Sequence, residues 1–369
     1  MKSKAISNFL KKRIEAKDFP SAVYLVAEKG EIILQDALGF AVVEPEKIEA
    51  KIDTIYDLAS LTKPLITGLL CAKLIESGEI KLSDKISKYF SDFDTDEKRE
   101  ITIENLLKHT SGFIAWKPFY LISNFKSKIL HLIASEPLKH SVDVKVLYSD
   151  LNFILLSFLI EKISEINLIN FYVSEVITRL GLTRTFIGGL DTLRKEIAAS
   201  EFGNEYEKQT CVELGFNVEN YNWRDYQIWG EVHDGNCYFM KGVSGHAGLF
   251  STAEETFKIA QQFLANQTTL LKPETCKLFR TNYTKGLNEA RSVAFQLGET
   301  LFSTASNALS KDSFGHLGFT GTSLWIEPET ERIFILLTNR THARELPFAN
   351  INSVRRRFHE LAVENLNKR

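Results

Sequence analysis

The chain has 369 residues, a formal net charge of −2 and a hydrophobic fraction of 44%, a composition typical of a globular protein with one large core or two domains. A charge this close to zero argues against a nucleic-acid-binding surface, which is normally basic. The longest apolar run, residues 153–160, is too short to span a bilayer. The first residues lack the apolar core of a signal peptide, so we expect a cytoplasmic protein, although an exported protein without its leader would look similar.

The first part of the chain predicts a helix followed by a β-hairpin. Residues 6–14 have the pattern of an amphipathic helix. Two β-type runs follow at 22–28 and 32–38, and the short Lys29-Gly30-Glu31 segment between them is a turn signal. The next part of the chain, by contrast, has mostly helical periodicity. The predicted helices are 65–76, 103–108, 125–134 and 152–164.

The last third of the chain returns to strands. Ser251-Thr252-Ala253-Glu254 has the pattern of a capping box, which predicts Ser251 as the cap of a helix reaching residue 264. Residues 323–326 and 333–337 predict a second hairpin, and 350–365 a terminal helix. We therefore predict an α+β fold with one antiparallel sheet flanked by helices. Residues 1–64 and 240–369 would form the sheet domain, and residues 65–239 a mostly helical insertion.

A hydroxyl and an amine lie three residues apart in Ser60-Leu61-Thr62-Lys63, where a helix is predicted to begin. On a helix these positions share a face. A lysine amine there can take the proton of a serine hydroxyl and make it a nucleophile. The spacing alone is weak evidence, because Ser123-Asn124-Phe125-Lys126 repeats it without other signs of chemistry.

Two later segments strengthen the interpretation of Ser60. Tyr148 lies at or just before the N-terminus of the predicted helix at 152–164, and His316-Leu317-Gly318 leads into the predicted strand at 323–326. Glycine there allows a backbone to approach a ligand closely.

These motifs, in this order, resemble those of the beta-lactamase-related serine hydrolase family, which includes class C beta-lactamases, D-alanyl-D-alanine carboxypeptidases and family VIII-type esterases. Two further segments support the resemblance, residues 101–112 and 245–252. The resemblance covers roughly residues 20–345. It implies a beta-lactamase/transpeptidase-like fold.

The resemblance also implies catalytic roles that need no metal or other cofactor. Ser60 would be the nucleophile, and Lys63 and Tyr148 would share the role of base. The phenol of Tyr148 would have its pKa lowered by Lys63. The backbone N–H groups of Ser60 and Phe319 would hold the oxyanion. His316 would line the site and contact Tyr148 or the substrate.

Two departures from the family pattern bear on the substrate. Asp150 stands where many of the beta-lactamases carry asparagine, and an ionised carboxylate cannot donate a hydrogen bond to an acylamino group. His316 stands where their third motif begins with lysine, and an imidazole is only partly charged near neutral pH. We therefore predict an esterase-like preference for small ester, amide or short peptide substrates, with Asp150, Gly318 and Phe319 binding the substrate.

Other interpretations of the sequence stay open. The chain could be a non-catalytic or slowly deacylating penicillin- or peptidoglycan-peptide-binding protein, or a D-amino-acid peptidase or carboxypeptidase. His233, Asp234 and His246 invite a metal site, but their spacing does not match a helical two-histidine site. Four aromatic residues could shape an acyl pocket or simply belong to the core: Trp116, Trp223, Tyr226 and Trp229.

Overall fold

A computed structural model describes residues 1–368. Its main feature is a seven-stranded sheet with the order β3-β2-β1-β10-β9-β8-β7, in which every neighbouring pair is antiparallel. A smaller sheet has the order β4-β6-β5. The strands are β1 Ser21–Glu28, β2 Glu31–Val42, β3 Ile48–Glu49, β4 Tyr56–Asp57, β5 Phe186–Ile187, β6 Leu249–Ser251, β7 Gln296–Leu297, β8 Phe314–Leu317, β9 Ser323–Glu327 and β10 Arg332–Thr338.

Helices cover both faces of the large sheet and fill the stretch between its N-terminal and C-terminal strands. The α-helices are α1 Lys4–Glu15, α2 Leu69–Ser77, α3 Ile103–Leu107, α4 Phe119–Ile122, α5 Ile129–Ser135, α6 Asp150–Ser164, α7 Leu168–Tyr172, α8 Thr178–Leu180, α9 Glu205–Glu213, α10 Gly235–Phe239, α11 Ala253–Ala260 and α12 Asn352–Leu366. The predicted α+β class with an antiparallel sheet is confirmed.

The alternation of side chains along the central strands divides the apolar interior into two cores. Successive strand residues point to opposite faces of a sheet. In β1, Val23 and Leu25 face the larger core beneath the inserted helices. Tyr24 and Val26 face a smaller core that includes Phe358 of α12. The N-terminal and C-terminal helices, α1 and α12, therefore pack on one face of the sheet. The helices of the inserted region pack on the other face.

The predicted hairpins and terminal helices are present, and one predicted cap is wrong. The cap of α11 is Thr252, whose hydroxyl accepts a hydrogen bond from the Glu255 amide. Ser251 instead ends β6 and pairs with Tyr56. Its hydroxyl lies 2.8 Å from that of Thr185. The small sheet takes Ser251 out of the helix cap, a tertiary effect that the local pattern could not indicate.

The division of the chain into a sheet domain (1–64 with 240–369) and a helical region (65–239) stays a prediction. One continuous hydrophobic core contains residues of both parts, so the core does not mark a boundary between them. Within residues 1–368, no helix combines the length and the apolar character needed to cross a membrane.

Candidate active site

A cavity of about 640 Å³ opens between the end of β8, the start of α6 and the turn that carries Ser60. Lys63 lies beneath its floor and is fully buried. The fold thus brings together residues that the sequence predicted for one site. Those that line the cavity are Ser60, Tyr148, Asp150, His316, Gly318 and Phe319.

The turn before Ser60 is fixed by contacts from distant segments. Ala59 has a φ of 47°, a conformation that is unusual for a residue with a side chain. Its amide donates to the Asp57 carboxylate at 2.8 Å. The hydroxyls of Thr320 and Thr322 donate to the carbonyls of Asp57 (2.7 Å) and Leu58 (2.9 Å). These bonds tie the loop after β8 to the turn that carries Ser60, so both sides of the cavity are held in a fixed relation.

Ser60 and Lys63 meet as the spacing predicts. Ser60 lies in a 3-10 turn, Ala59–Leu61, and Lys63 begins a π-helical segment, Lys63–Gly68, that continues into α2. The Lys63 ammonium donates to the Ser60 hydroxyl at 3.0 Å and to the His246 carbonyl at 3.1 Å. The predicted helix start is therefore correct in place, although its first turns are not α-helical.

The third partner of Lys63 is Asp150, whose Oδ1 forms an ion pair with Nζ at 2.7 Å. Burial alone would lower the pKa of Lys63, but the Asp150 carboxylate and the Tyr148 phenol raise it above its ordinary value. Lys63 is therefore an ammonium ion at neutral pH. Asp150, which we predicted to bind substrate, thus contacts the Lys63 amine and also lines the cavity.

Tyr148 stands at the entrance to α6 with its ring packed among charged and aromatic groups. The Lys63 ammonium lies 4.9 Å from the ring centroid, and the His109 ring 4.6 Å. The Ser149 amide donates to His109 Nδ1 at 3.1 Å, which anchors the segment. Burial raises the pKa of the Tyr148 phenol and outweighs the lowering by Lys63. Our prediction of a lowered pKa was wrong, because the cost of burying a phenolate exceeds the benefit of the nearby cation.

His316 lies in β8 and its ring faces Tyr148 at 5.8 Å between centroids. Its Nδ1 donates to the Leu317 carbonyl at 3.0 Å. Burial and then the charge of Arg291 lower its pKa well below the ordinary value, so His316 is neutral. It therefore supplies no positive charge at all near neutral pH, a stronger departure from a lysine than the sequence suggested.

The loop after β8 brings a backbone close to the turn that carries Ser60. A Cβ at Gly318 would lie 2.0 Å from the Thr322 hydroxyl oxygen and 2.6 Å from the Leu58 carbonyl oxygen, so only glycine fits there. Among the described residues, the amide of the next residue, Phe319, has no hydrogen-bond acceptor. Its ring stacks on His233 at 5.4 Å between centroids. The amide is thus free and firmly positioned beside the cavity.

Of the residues considered for a metal site, His246 and Asp234 are hydrogen-bonded to each other, whereas the His233 ring pairs with Glu201 at 2.7 Å. The His246 ring joins the Ser244 hydroxyl at 2.7 Å to Asp234 at 3.0 Å. Although burial opposes ionisation, His246 holds the pKa of Asp234 well below its usual range. Ligand atoms of Asp150, Asp234 and His246 lie within 4.8 Å of one another. Lys63 already places a cation at Asp150, so these residues have partners without an added ion.

Two residues of the site carried no sequence signal that we recognised. Arg291 and Glu207 line the cavity and belong to no motif. Burial raises the pKa of Glu207 to about 7, and the neighbouring Asp234 adds to this effect. Of the four aromatic residues considered for an acyl pocket, Trp116 lines the cavity, whereas Trp229 is buried with its Nε1 donating to the Ile197 carbonyl.

Comparison with known proteins gives one consistent family. The sequence profile of the family named Beta-lactamase matches residues 6–355. The chain is 31% identical over 353 residues to an Escherichia coli (strain K12) protein named "Putative D-alanyl-D-alanine carboxypeptidase", and the match covers 88% of this chain and 79% of that protein.

Solved structures agree at the level of the fold. The Beta-Lactamase/D-Alanine Carboxypeptidase from Pseudomonas syringae has a TM-score of 0.74 at 14% identity, covering 96% of this chain and 97% of that one. EstCE1, a hydrolase with promiscuous acyltransferase activity, has a TM-score of 0.72 at 18% identity, covering 97% of each chain. The fold is therefore beta-lactamase/transpeptidase-like, as the motif resemblance implied.

Proposed function

Since the chain belongs to the beta-lactamase family and is a serine hydrolase of that family, we propose that it cleaves esters, amides or short peptides through an acyl-enzyme on Ser60. The observation that carries this proposal is the contact chain Ser60–Lys63–Asp150, with distances of 3.0 and 2.7 Å. A nucleophile hydrogen-bonded to its base, with a third group close enough to orient that base, is the arrangement that activates a serine.

The protonation of Lys63 defines the acylation step. An ammonium ion cannot accept the Ser60 proton, but Lys63 can pass one of its own protons to Asp150 while it takes the proton of Ser60. The Ser60 oxygen then forms its bond to the carbonyl carbon, and the carbonyl π electrons move to the oxygen. Asp150 ends protonated, and Lys63 ends as an ammonium ion because it gives one proton and takes one. In this scheme Asp150 is the final proton acceptor, and the negative charge that it loses appears on the former carbonyl oxygen of the substrate.

The oxyanion and the leaving group need two further groups. The free amide of Phe319, together with the Ser60 amide, would donate to the oxyanion in a site shielded from water. Tyr148 would give its proton to the leaving group as the carbonyl re-forms, and the Lys63–Asp150 pair would return a proton to Tyr148. Water would then release the acyl group by the same route in reverse, which restores the Ser60 hydroxyl.

The substrate preference remains a proposal with two candidates. Neutral His316 favours the esterase-like preference, because it provides no fixed cation for a substrate carboxylate. A D-alanyl-D-alanine carboxypeptidase is the second candidate, which the name of the Escherichia coli relative suggests and which the buried cation Arg291 at the cavity wall favours. The predicted cytoplasmic location stays a prediction that cell fractionation would test.

Steady-state and burst kinetics with p-nitrophenyl acetate, nitrocefin and N-acetyl-D-Ala-D-Ala would test the proposal. Turnover should vanish in Ser60→Ala and persist in Ser123→Ala. The latter is a matched control, because Ser123 begins the second copy of the motif but donates to the Phe125 carbonyl instead of contacting Lys126. A Ser60-dependent burst without turnover would favour the slowly deacylating binding protein. Turnover that survives in Ser60→Ala would refute the proposal.

A further inference from the structure

His109 is a fully buried histidine that holds both chain neighbours of Tyr148. Its carbonyl accepts from the Leu147 amide at 2.9 Å, and its Nδ1 accepts from the Ser149 amide at 3.1 Å. The Nδ2 of Asn152 lies 3.3 Å from the same ring nitrogen. The residues before and after Tyr148 are thus both bonded to one histidine.

The ring of His109 also packs against the ring of Tyr148. The two centroids lie 4.6 Å apart, and the planes are tilted by 35°. The Phe153 ring lies 5.1 Å from the same imidazole, which leaves the imidazole little room to move. A rigid ring beside the phenol restricts the rotamers that the Tyr148 side chain can adopt. His109 therefore contacts both the backbone around Tyr148 and the side chain that carries its hydroxyl.

The hydrogen bonds of His109 define its protonation state. A ring nitrogen that accepts from an amide carries no proton, so in the neutral imidazole the proton lies on Nε2. Burial, and then the charge of Arg291, lowers the pKa of His109 well below its ordinary value, so the ring is neutral. Because a protonated Nδ1 could not accept from Ser149, the neutral ring is also the form that holds this segment.

Stability alone does not explain a histidine at this position. The backbone of His109 has a φ of 61°, a left-handed conformation that is uncommon for residues with side chains. Its Nε2 is buried and has no hydrogen-bond partner among residues 1–368, and a buried N–H without an acceptor costs free energy. Such costly features are concentrated at active sites, where the surrounding structure fixes them. The place of His109 against Tyr148 fits that explanation.

The segment that leads into α6 has other anchors that do not involve the His109 side chain. The Ser149 hydroxyl donates to the Ile114 carbonyl at 2.6 Å, and the Asp150 amide donates to the Ala115 carbonyl at 2.9 Å. Replacing the His109 side chain should therefore leave the path of this backbone in place. What would be lost is the contact between the imidazole and the phenol ring.

We propose that His109 is a positioning residue, whose ring holds the Tyr148 phenol in the orientation that gives a proton to the leaving group. A misplacement of about 1 Å in a reacting group can slow an enzyme by about 10²-fold. A fully buried ring in contact with the phenol can therefore control the rate without touching the substrate. This inference rests on the proposed function, because it assumes that Tyr148 acts as the acid in the same site.

His109→Asn separates the two contacts of the side chain. The asparagine Oδ1 lies as far along the side chain as the histidine Nδ1, so it can still accept from the Ser149 amide. Asparagine also tolerates a positive φ, but it has no ring to place against Tyr148. Urea unfolding would show that the variant is folded before its kinetics are measured.

The kinetics compare ethyl butyrate with p-nitrophenyl butyrate, which form the same acyl-enzyme but differ in their need for an acid. Ethoxide must be protonated as it leaves, whereas p-nitrophenolate needs no proton. We expect His109→Asn to lower kcat/KM for ethyl butyrate by about 10-fold or more, and kcat/KM for p-nitrophenyl butyrate much less. In a Tyr148→Phe background, which has no phenol to orient, the same substitution should change the ratio of the two values by less than about 2-fold.

His359→Asn is the matched control, because it removes another fully buried imidazole with an unpartnered Nε2. That ring packs against Trp325 and Phe358 instead of Tyr148, so the variant should keep the natural ratio. His109→Phe is a second test, because it keeps a ring beside Tyr148 without the acceptor on Nδ1. It should keep the ratio closer to the natural value than His109→Asn does.

Four results would overturn the inference. They are equal slowing of both esters in His109→Asn, the same loss in the Tyr148→Phe background, a folded His109→Phe protein with the ratio of Tyr148→Phe, and a natural chain that cleaves p-nitrophenyl butyrate but not ethyl butyrate. The proposed function fails separately, if the natural chain shows no Ser60-dependent release of p-nitrophenolate.

Discussion

Replacing Asp150 with asparagine removes the carboxylate that faces the Lys63 ammonium and keeps the size of the side chain. At 2.7 Å and an effective dielectric constant of about 20, the attraction between the two charges is about 6 kcal/mol before desolvation is counted. Losing one partner of a buried pair costs about 3–5 kcal/mol in measured cases. The asparagine oxygen can still accept from Lys63, so we expect a loss of about 3 kcal/mol in the free energy of unfolding at pH 7.

The pH dependence of this loss is a sharper test than its size. In the natural chain the pKa of Lys63 is raised in the folded state, so the pair stabilises the fold below the ordinary lysine pKa and the benefit disappears as the pH rises through the raised value. In Asp150→Asn the largest upward cause is gone, and we expect burial to outweigh Tyr148 and to lower the pKa of Lys63. The fold is then penalised until Lys63 is neutral in the unfolded chain too. The difference between the two proteins should therefore shrink above about pH 10.

Urea unfolding of both proteins at pH 7 and at pH 10.5 would measure this difference. Glu28→Gln is the control, because it removes the carboxylate of another ion pair at 2.7 Å. The partner, Arg332, has a side chain that is 14% exposed, and the side chain of Glu28 is 31% exposed. We expect this variant to lose at most about 1 kcal/mol. If Asp150→Asn costs no more than Glu28→Gln, or costs the same at both pH values, Lys63 does not depend on Asp150 as described.

Two further predictions concern the oxyanion and the leaving group. Gly318→Ala should push the loop after β8 away from Leu58 and lower kcat for p-nitrophenyl acetate by about 10²-fold or more, the effect of losing an oxyanion donor. Gly78→Ala is the control, because its added Cβ meets nothing within 4 Å, and it should leave kcat unchanged. Equal rates in the two variants would contradict the role of the Phe319 amide. Tyr148→Phe should slow cleavage of a peptide amide by about 10²-fold or more through loss of the general acid. It should slow the p-nitrophenolate burst much less, because that leaving group needs no proton. Equal losses on both substrates would count against Tyr148 as the acid.

The parts of the molecule that the sequence predicted well are those with local causes. The β-type runs at residues 22–28 and 333–337 predicted strands, and β1 and β10 confirm them. Ser60 and Lys63 meet because three residues along a helical turn always share a face. The Ser251 cap was wrong for the opposite reason, since a strand from a distant part of the chain pairs with that residue.

Three features of the site depend on tertiary packing and could not be predicted from the sequence. Asp150 follows Tyr148 by two residues, but whether its carboxylate turns to the substrate or to Lys63 depends on how α6 packs against the nucleophile turn. Arg291 belongs to no motif and reaches the cavity only through a loop attached to Val146. The raised pKa of Tyr148 follows from burial, which no spacing of residues can predict.

Rapid-quench mass spectrometry would detect the proposed acyl-enzyme on Ser60 directly. The chain would be mixed with p-nitrophenyl butyrate, quenched within the burst, digested and mapped. We expect a mass increase of one butyryl group on the peptide that contains Ser60, present in the natural chain and in Ser123→Ala and absent from Ser60→Ala. A butyryl group on any other residue, or turnover with no adduct during the burst, would contradict it.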